Sequence, residues 1–123
     1  MKTGIAILVV SESSLKLSLT IAEHLPGSNL YSSFESIFTD TIPSIATFLK
    51  EHFNRFEAFV FVGSLGICVR SIAPFITDKH TDPAIVNIDS TGKYIVSVLS
   101  GHIGGANSLT KQIARITGGQ AVI

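Results

Sequence analysis

Two uninterrupted apolar runs, Ile5 to Val10 and Ala58 to Val62, constrain the fold of this chain more than any other feature. Neither alternates with polar residues, so neither suits a strand with one wet face. Both read as strands covered on both sides, which points to the interior of a largely parallel sheet flanked by helices. The intervening segments agree with that reading. Ser11 to Ser14 offer helix caps, Leu15, Leu19 and Ala22 recur at helical spacing, and Pro26-Gly27 ends the helix. Ser28 to Ser32 is expected to form a short second strand. After Pro43 a second amphipathic stripe is expected, made by Ile42, Ile45, Ala46, Leu49 and Phe53.

Beyond the second run, Gly63-Ser64-Leu65-Gly66 turns the chain into a short helix that should end near Pro74. Ala84 to Asp89 and Tyr94 to Leu99 flank Ser90-Thr91-Gly92-Lys93, the pattern of a β-hairpin. A last helix, from Ala106 to about Thr117, presents Leu109, Ile113 and Ile116 on one face. Gly118-Gly119 ends it, and Gln120-Ala121-Val122-Ile123 begins a strand. The expected fold is a layered αβα domain of the α/β class, with a mixed, mostly parallel sheet containing one hairpin. A length of 123 residues with 46% hydrophobic content suits a single domain over 1–123. Because the chain stops within a strand, the expectation is that it continues in a longer parent protein.

The charge balance excludes some partners. Nine basic residues against nine acidic ones leave no net charge, which argues against a broad footprint for nucleic acid or an anionic membrane. No apolar run approaches the ~18–20 residues needed to cross a bilayer. The single cysteine, Cys68, cannot form an internal disulfide, so a reducing cytoplasm is the expected compartment.

Chemistry concentrates in Ser100-Gly101-His102-Ile103-Gly104-Gly105-Ala106-Asn107, where an imidazole lies between a strand and a helix. Glycines allow a ligand to approach the backbone closely, and the first amides of a helix have no intrahelical acceptor, so they can meet negative charge. A neutral imidazole near physiological pH can take a proton from water while such amides stabilise an oxyanion, which is a hydrolase in outline. The competing reading is a structural histidine that fills the turn.

If strands 58–62 and 94–99 are parallel, Gly63, Ser64 and Gly66 share one sheet edge with Gly101, His102, Gly104 and Gly105, where α/β proteins gather ligands. Asp82 and His80 would lie at that edge and Asp89 at the far one, which favours Asp82 as a site residue. Arg70 could extend its planar fork towards a carboxylate or phosphate there, or form a surface ion pair. His24 and His52 fall near helix ends and read as structural. His80 lacks a second ligand at defined spacing, so no protein-bound metal is expected. Neither glycine cluster spells GxGxxG or a phosphate loop, which lowers a nucleotide-binding reading without removing it. Ser64 and Ser100 lack the setting of an activated nucleophile.

The segments FVFVGSLGICVRSIAPFI, DPAIVNID and VSVLSGHIGGANSLTKQIA, in this order and spacing, resemble the N-terminal domain of the cobalamin-biosynthesis CbiG family, the cobalt-precorrin-5A hydrolases. SGHIGGAN is the most specific part, and residues 1–55 agree mainly in their alternation of strand and helix. The resemblance implies an enzyme of anaerobic cobalamin biosynthesis that opens the δ-lactone of a cobalt-corrinoid intermediate with loss of acetaldehyde. It implies no cofactor of its own, because cobalt is carried by the substrate. Its motif falls on Gly63, Gly66, Arg70, Asp82, Gly101, His102, Gly104, Gly105 and Asn107, while Ser64 and Cys68 stand where family members usually have alanine. His102 would be the general base, with Asn107 and the Gly104 and Gly105 amides at the oxyanion and Arg70 on a carboxylate of the macrocycle. Family members continue into a C-terminal domain, an implied partner. The alternative is a corrinoid-binding module whose catalysis needs that domain.

Overall fold

In the computed structural model, which describes residues 2–123, the first apolar run is strand β1 (Ile5–Val9) and the second is β4 (Ala58–Val62). Every residue of β4 is buried, as its unbroken hydrophobicity requires. Around them lie α1 (Leu15–Glu23), β2 (Ser28–Ser32), β3 (Asp40–Thr41), α2 (Ile45–His52), α3 (Leu65–Ile72), β5 (Ala84–Ile88), β6 (Tyr94–Leu99), α4 (Ala106–Thr117) and β7 (Gln120–Val122). One seven-stranded sheet runs in the order β3-β2-β1-β4-β5-β6-β7. β3, β2, β1, β4 and β5 are mutually parallel, β6 runs antiparallel to β5, and β7 is parallel to β6. The mixed, mostly parallel sheet with one hairpin is therefore present.

Helices cover both faces. Ile21 of α1 and Ala106, Leu109 and Ile113 of α4 pack on Ile7, Val60, Val62, Val86, Ile88 and Ile95. Phe48 and Leu49 of α2, with Cys68 and Ile72 of α3, pack on Ala6, Leu8, Phe59, Phe61 and Ile85. The alternation of neighbours in β1 and β4 between these two clusters explains why both strands had to be apolar throughout. Phe59 stacks on Phe53 at 5.9 Å between ring centres and meets Phe56 edge-on at 5.3 Å.

Two local expectations need correction. Ser11 to Ser14 do not cap with their side chains; Ser11 Oγ lies 2.9 Å from Ser13 Oγ, and a short 3-10 turn at Glu12–Ser14 leads into α1. Ile42 lies outside the second helix, because Ser44 caps α2 by accepting the Thr47 amide at 3.0 Å. The apolar stripe thus began one turn too early. Ile42 is buried all the same, its amide bound to the Ser32 carbonyl at 2.8 Å.

Burial fixes the chemistry of Cys68. Its thiol is fully enclosed and desolvation pushes its pKa from 9.0 up to about 12. The native protein should therefore resist alkylation by iodoacetamide at pH 8 and react on unfolding, as mass spectrometry would read. The unfolded thiol ionises first, so this group's contribution to stability is full below about pH 9 and falls away as pH rises towards about 12.

Candidate functional site

The reversal of β6 decides the layout of the site. β4 and β5 end at one rim of the sheet, whereas β6, opposed to β5, delivers Ser100 to the other rim, where β5 begins. The expectation that the two glycine turns share an edge is therefore overturned. Gly63, Ser64 and Gly66 lie at the carboxyl ends of β1 and β4; Gly101, His102, Gly104 and Gly105 lie at the amino ends of the parallel strands, beside Asp82. The length of β4, at ~3.3 Å per residue, keeps the two turns roughly 15 Å apart.

At the first rim the residues are structural in their visible contacts. Gly63 passes so close to β1 that a Cβ there would fall 2.7 Å from Val10 Cβ. Its amide donates to the Ile88 carbonyl at 2.9 Å, and Asn87 Nδ2 donates to its carbonyl at 3.3 Å. Ser64 Oγ accepts the Ile67 amide at 3.3 Å and caps α3. Gly66 faces open space. Arg70 is exposed in the last turn of α3, where a cation complements the helix dipole, and it makes no ion pair among the described residues.

The second rim holds the imidazole. Ser100 adopts φ 60°, the one non-glycine residue with positive φ among the described residues, a conformation that costs an L-residue roughly 1–2 kcal/mol. The turn it begins is closed by the Ala106 amide on the Ser100 carbonyl at 3.1 Å and the Asn107 amide on the Gly101 carbonyl at 3.0 Å. Gly104 is required because a Cβ would sit 2.5 Å from Ser100 Cβ, and Gly105 because its φ is +87°. Asn107 packs its carboxamide where a side chain at Gly101 would lie, and its Oδ1 accepts the Ser97 hydroxyl at 2.6 Å.

These bonds correct the picture of open amides at the start of α4. The Gly105 amide donates to the His102 carbonyl at 3.3 Å, and the Ala106 and Asn107 amides are already engaged. Gly104 keeps an amide without an intramolecular acceptor among the described residues, but it borders a neighbouring hollow, with Glu57, His80 and Asp82, rather than the cavity of His102. That cavity, about 330 Å³, is lined by Lys79, Ser100, Gly101, His102 and Ile103. His102 is exposed at it, and so is Ile103, at 67%.

Asp82, expected to face a ligand, is 3% exposed and braces the loop before β5. Its carboxylate accepts the Thr77 amide at 2.9 Å, the Thr77 hydroxyl at 3.0 Å and the Asp78 amide at 3.2 Å. Its carbonyl accepts the Ser100 hydroxyl at 3.1 Å, which ties this loop to the glycine turn. In the same loop Asp78 accepts from the backbone amide of His80 and lies 2.9 Å from His80 Nδ1, and these contacts hold its carboxyl below the usual range. At the far rim, burial pushes the Asp89 carboxyl up, but hydrogen bonds from Thr91 and Tyr94 prevail and lower it. His24 Nδ1 lies 3.1 Å from the Thr20 carbonyl, and the His52 ring sits 4.6 Å from Phe48, both structural settings. No cluster of three or more metal-ligating side chains occurs among the described residues.

Sequence reasoning missed Lys79 and Ile103 as members of the cavity. The signal was available for Lys79, since the hairpin places the start of β5 beside the end of β6, and Lys79 lies in the loop that leads there.

The family model described as cobalamin synthesis G N-terminal matches residues 47–123. A cobalt-precorrin-5A hydrolase of Salmonella typhimurium is 46% identical over 74 residues, covering 60% of this chain and 21% of that protein. A protein of the same name from Priestia megaterium is 49% identical over 71 residues, covering 58% and 19% respectively. The crystal structure of a cobalamin biosynthesis protein G homolog from Sulfolobus solfataricus superposes with a TM-score of 0.78 at 26% identity, covering 98% of this chain and 36% of that one. The chain thus spans about a fifth of the length of the curated relatives it matches.

Proposed function

The chain belongs to the cobalamin synthesis G N-terminal family, and from that premise we propose that it serves as the N-terminal domain of a cobalt-precorrin-5A hydrolase, 1–123 forming one domain of a longer protein. The substrate is a cobalt-corrinoid δ-lactone, and cobalt belongs to that substrate, so the domain brings no cofactor of its own. Water adds to the lactone carbonyl while the His102 imidazole takes its proton, and the ring C–O bond breaks to give a carboxylate and a hydroxyl. The two-carbon unit then leaves as acetaldehyde. Asn107 and the tight contact of Gly104 on Ser100 hold the turn that presents the imidazole, and Arg70 holds an outlying carboxylate.

The observation that carries this reading is the exposed His102 at a cavity lined by Lys79 and by Ser100 to Ile103 of SGHIGGAN, the most specific segment of the family resemblance. One observation favours a second reading, that of a corrinoid-binding module. With the Gly105 and Asn107 amides engaged, this domain offers few free donors to an oxyanion, and the remainder of a full-length protein would supply them. The remaining domain is then the partner. A cytoplasmic setting belongs to the same proposal and is supported by the lone buried thiol; no helix among the described residues is long and apolar enough to cross a membrane.

The test compares this chain with a full-length protein containing it, using cobalt-precorrin-5A and following both corrinoid binding and acetaldehyde release. Binding and release by the full-length protein is the expected result. Binding without release by the 123-residue chain supports the module reading. Absence of corrinoid binding by both would remove the proposal.

A further inference from the structure

We propose that Lys79 is the carboxylate anchor of the His102 cavity, gripping an acidic arm of a macrocyclic ligand so that its reacting group faces the imidazole. This inference rests on the corrinoid reading above but concerns a residue outside the glycine motif. Lys79 is the only formally charged side chain among the residues lining that cavity, which it shares with Ser100, Gly101, His102 and Ile103.

Its position is held by contacts on both sides. Asp82, buried, ties down Thr77 and Asp78 through three hydrogen bonds, and the Asp78 carbonyl accepts the Thr81 amide at 3.0 Å and the Asp82 amide at 2.8 Å. The Lys2 ammonium donates to the Thr81 carbonyl. Through the Ser100 hydroxyl on the Asp82 carbonyl, the loop that carries Lys79 is coupled to the turn that carries His102. The backbone segments that carry the cation and the imidazole are thus tied to one another.

The ammonium also makes no hydrogen bond among the described residues, although its charge helps to hold the neighbouring Asp78 carboxyl below the usual range. The carboxylate next to it in sequence, Asp78, is engaged by His80, and Lys79 makes no ion pair among the described residues. A cation without a partner beside a cavity can offer its charge to a ligand, where the pair is worth more than one exposed to water. Ile103, 67% exposed at the same cavity, adds an apolar surface that few free polar ligands would use. A flat apolar ring bearing carboxylate arms satisfies all three groups together: Ile103 under the ring, Lys79 on an arm and His102 at the reacting group. Nucleotide phosphate fits less well, because the turn's amides are largely consumed within the loop.

The probe is cobyrinic acid, a corrinoid with seven free carboxylates, compared with its heptamethyl ester, both titrated by visible absorbance against a full-length protein containing this domain. Lys79→Met should weaken binding of the acid about tenfold and leave binding of the ester unchanged, while Lys79→Arg restores most of the acid's affinity. Raising salt from about 50 mM to about 500 mM should shrink the difference between wild type and Lys79→Met. Equal affinity of Lys79→Met and wild type for the acid, or equal loss for acid and ester, overturns the anchor while leaving the corrinoid reading intact. Failure of the unsubstituted full-length protein to bind either corrinoid overturns that reading and the anchor with it. Lys79 is exposed, so an unchanged thermal midpoint is expected in both variants and separates lost binding from lost folding.

Discussion

Replacing His102 by alanine in a full-length protein containing this domain should slow lactone opening by a factor of about 10²–10⁴, the contribution typical of a positioned general base. The loss should fall on kcat more than on KM, because the imidazole acts on water and adds little to corrinoid binding, which the cavity's apolar and cationic groups provide. Stability should hardly change, since His102 is exposed and its side chain makes no hydrogen bond among the described residues. His102→Gln keeps a polar side chain of similar reach but cannot take a proton, so it should be as slow as alanine. Steady-state acetaldehyde release measures both variants. A wild-type rate in either would show that the proton goes elsewhere and that this rim only binds.

Asp82→Ala should lower the stability of the domain by about 2–4 kcal/mol, because hydrogen bonds to a charged acceptor are among the stronger ones and the substitution removes three of them together. The carboxylate accepts from Thr77 twice and from Asp78 once, at 2.9, 3.0 and 3.2 Å, at a position 3% exposed. Asp82→Asn keeps one acceptor oxygen and should lose about half as much. Urea unfolding followed by circular dichroism measures the midpoint. A midpoint equal to wild type in the alanine variant would mean that water replaces the carboxylate in the loop. The same variant should weaken cobyrinic acid binding, because Lys79 and the Ser100 tether both depend on this loop.

Much of the architecture was legible because it is written in side-chain pattern. The runs at Ile5 and Ala58 named the central strands, and Ser90-Thr91-Gly92-Lys93 named the hairpin. β3 was not legible: Asp40 and Thr41 are both exposed, and two polar residues at an edge leave no hydrophobic signature. The placement of the site was misread for a different reason. A shared edge for the two glycine turns requires β4 and β6, each of which runs into a helix, to point the same way. Yet the helix α3 between β4 and β5 already demands a parallel crossover, and the hairpin then forces β6 to run backwards. Direction along a sheet follows from how strands are joined, and the chemistry of the residues beyond them does not report it. The roles of Asp82 and Asn107 were hidden as well, because a carboxylate or carboxamide held by its own neighbours looks in one dimension like one waiting for a ligand.

The reversal of β6 gives the domain two insulated ends. Substitutions at Ser64 and Gly66 after β4 can drift, or be engineered, without disturbing the imidazole on the opposite border, since the length of the packed strands separates them. Selection on guest recognition and selection on the turn after β4 would then leave separate records in related sequences, readable as two groups of positions that vary independently.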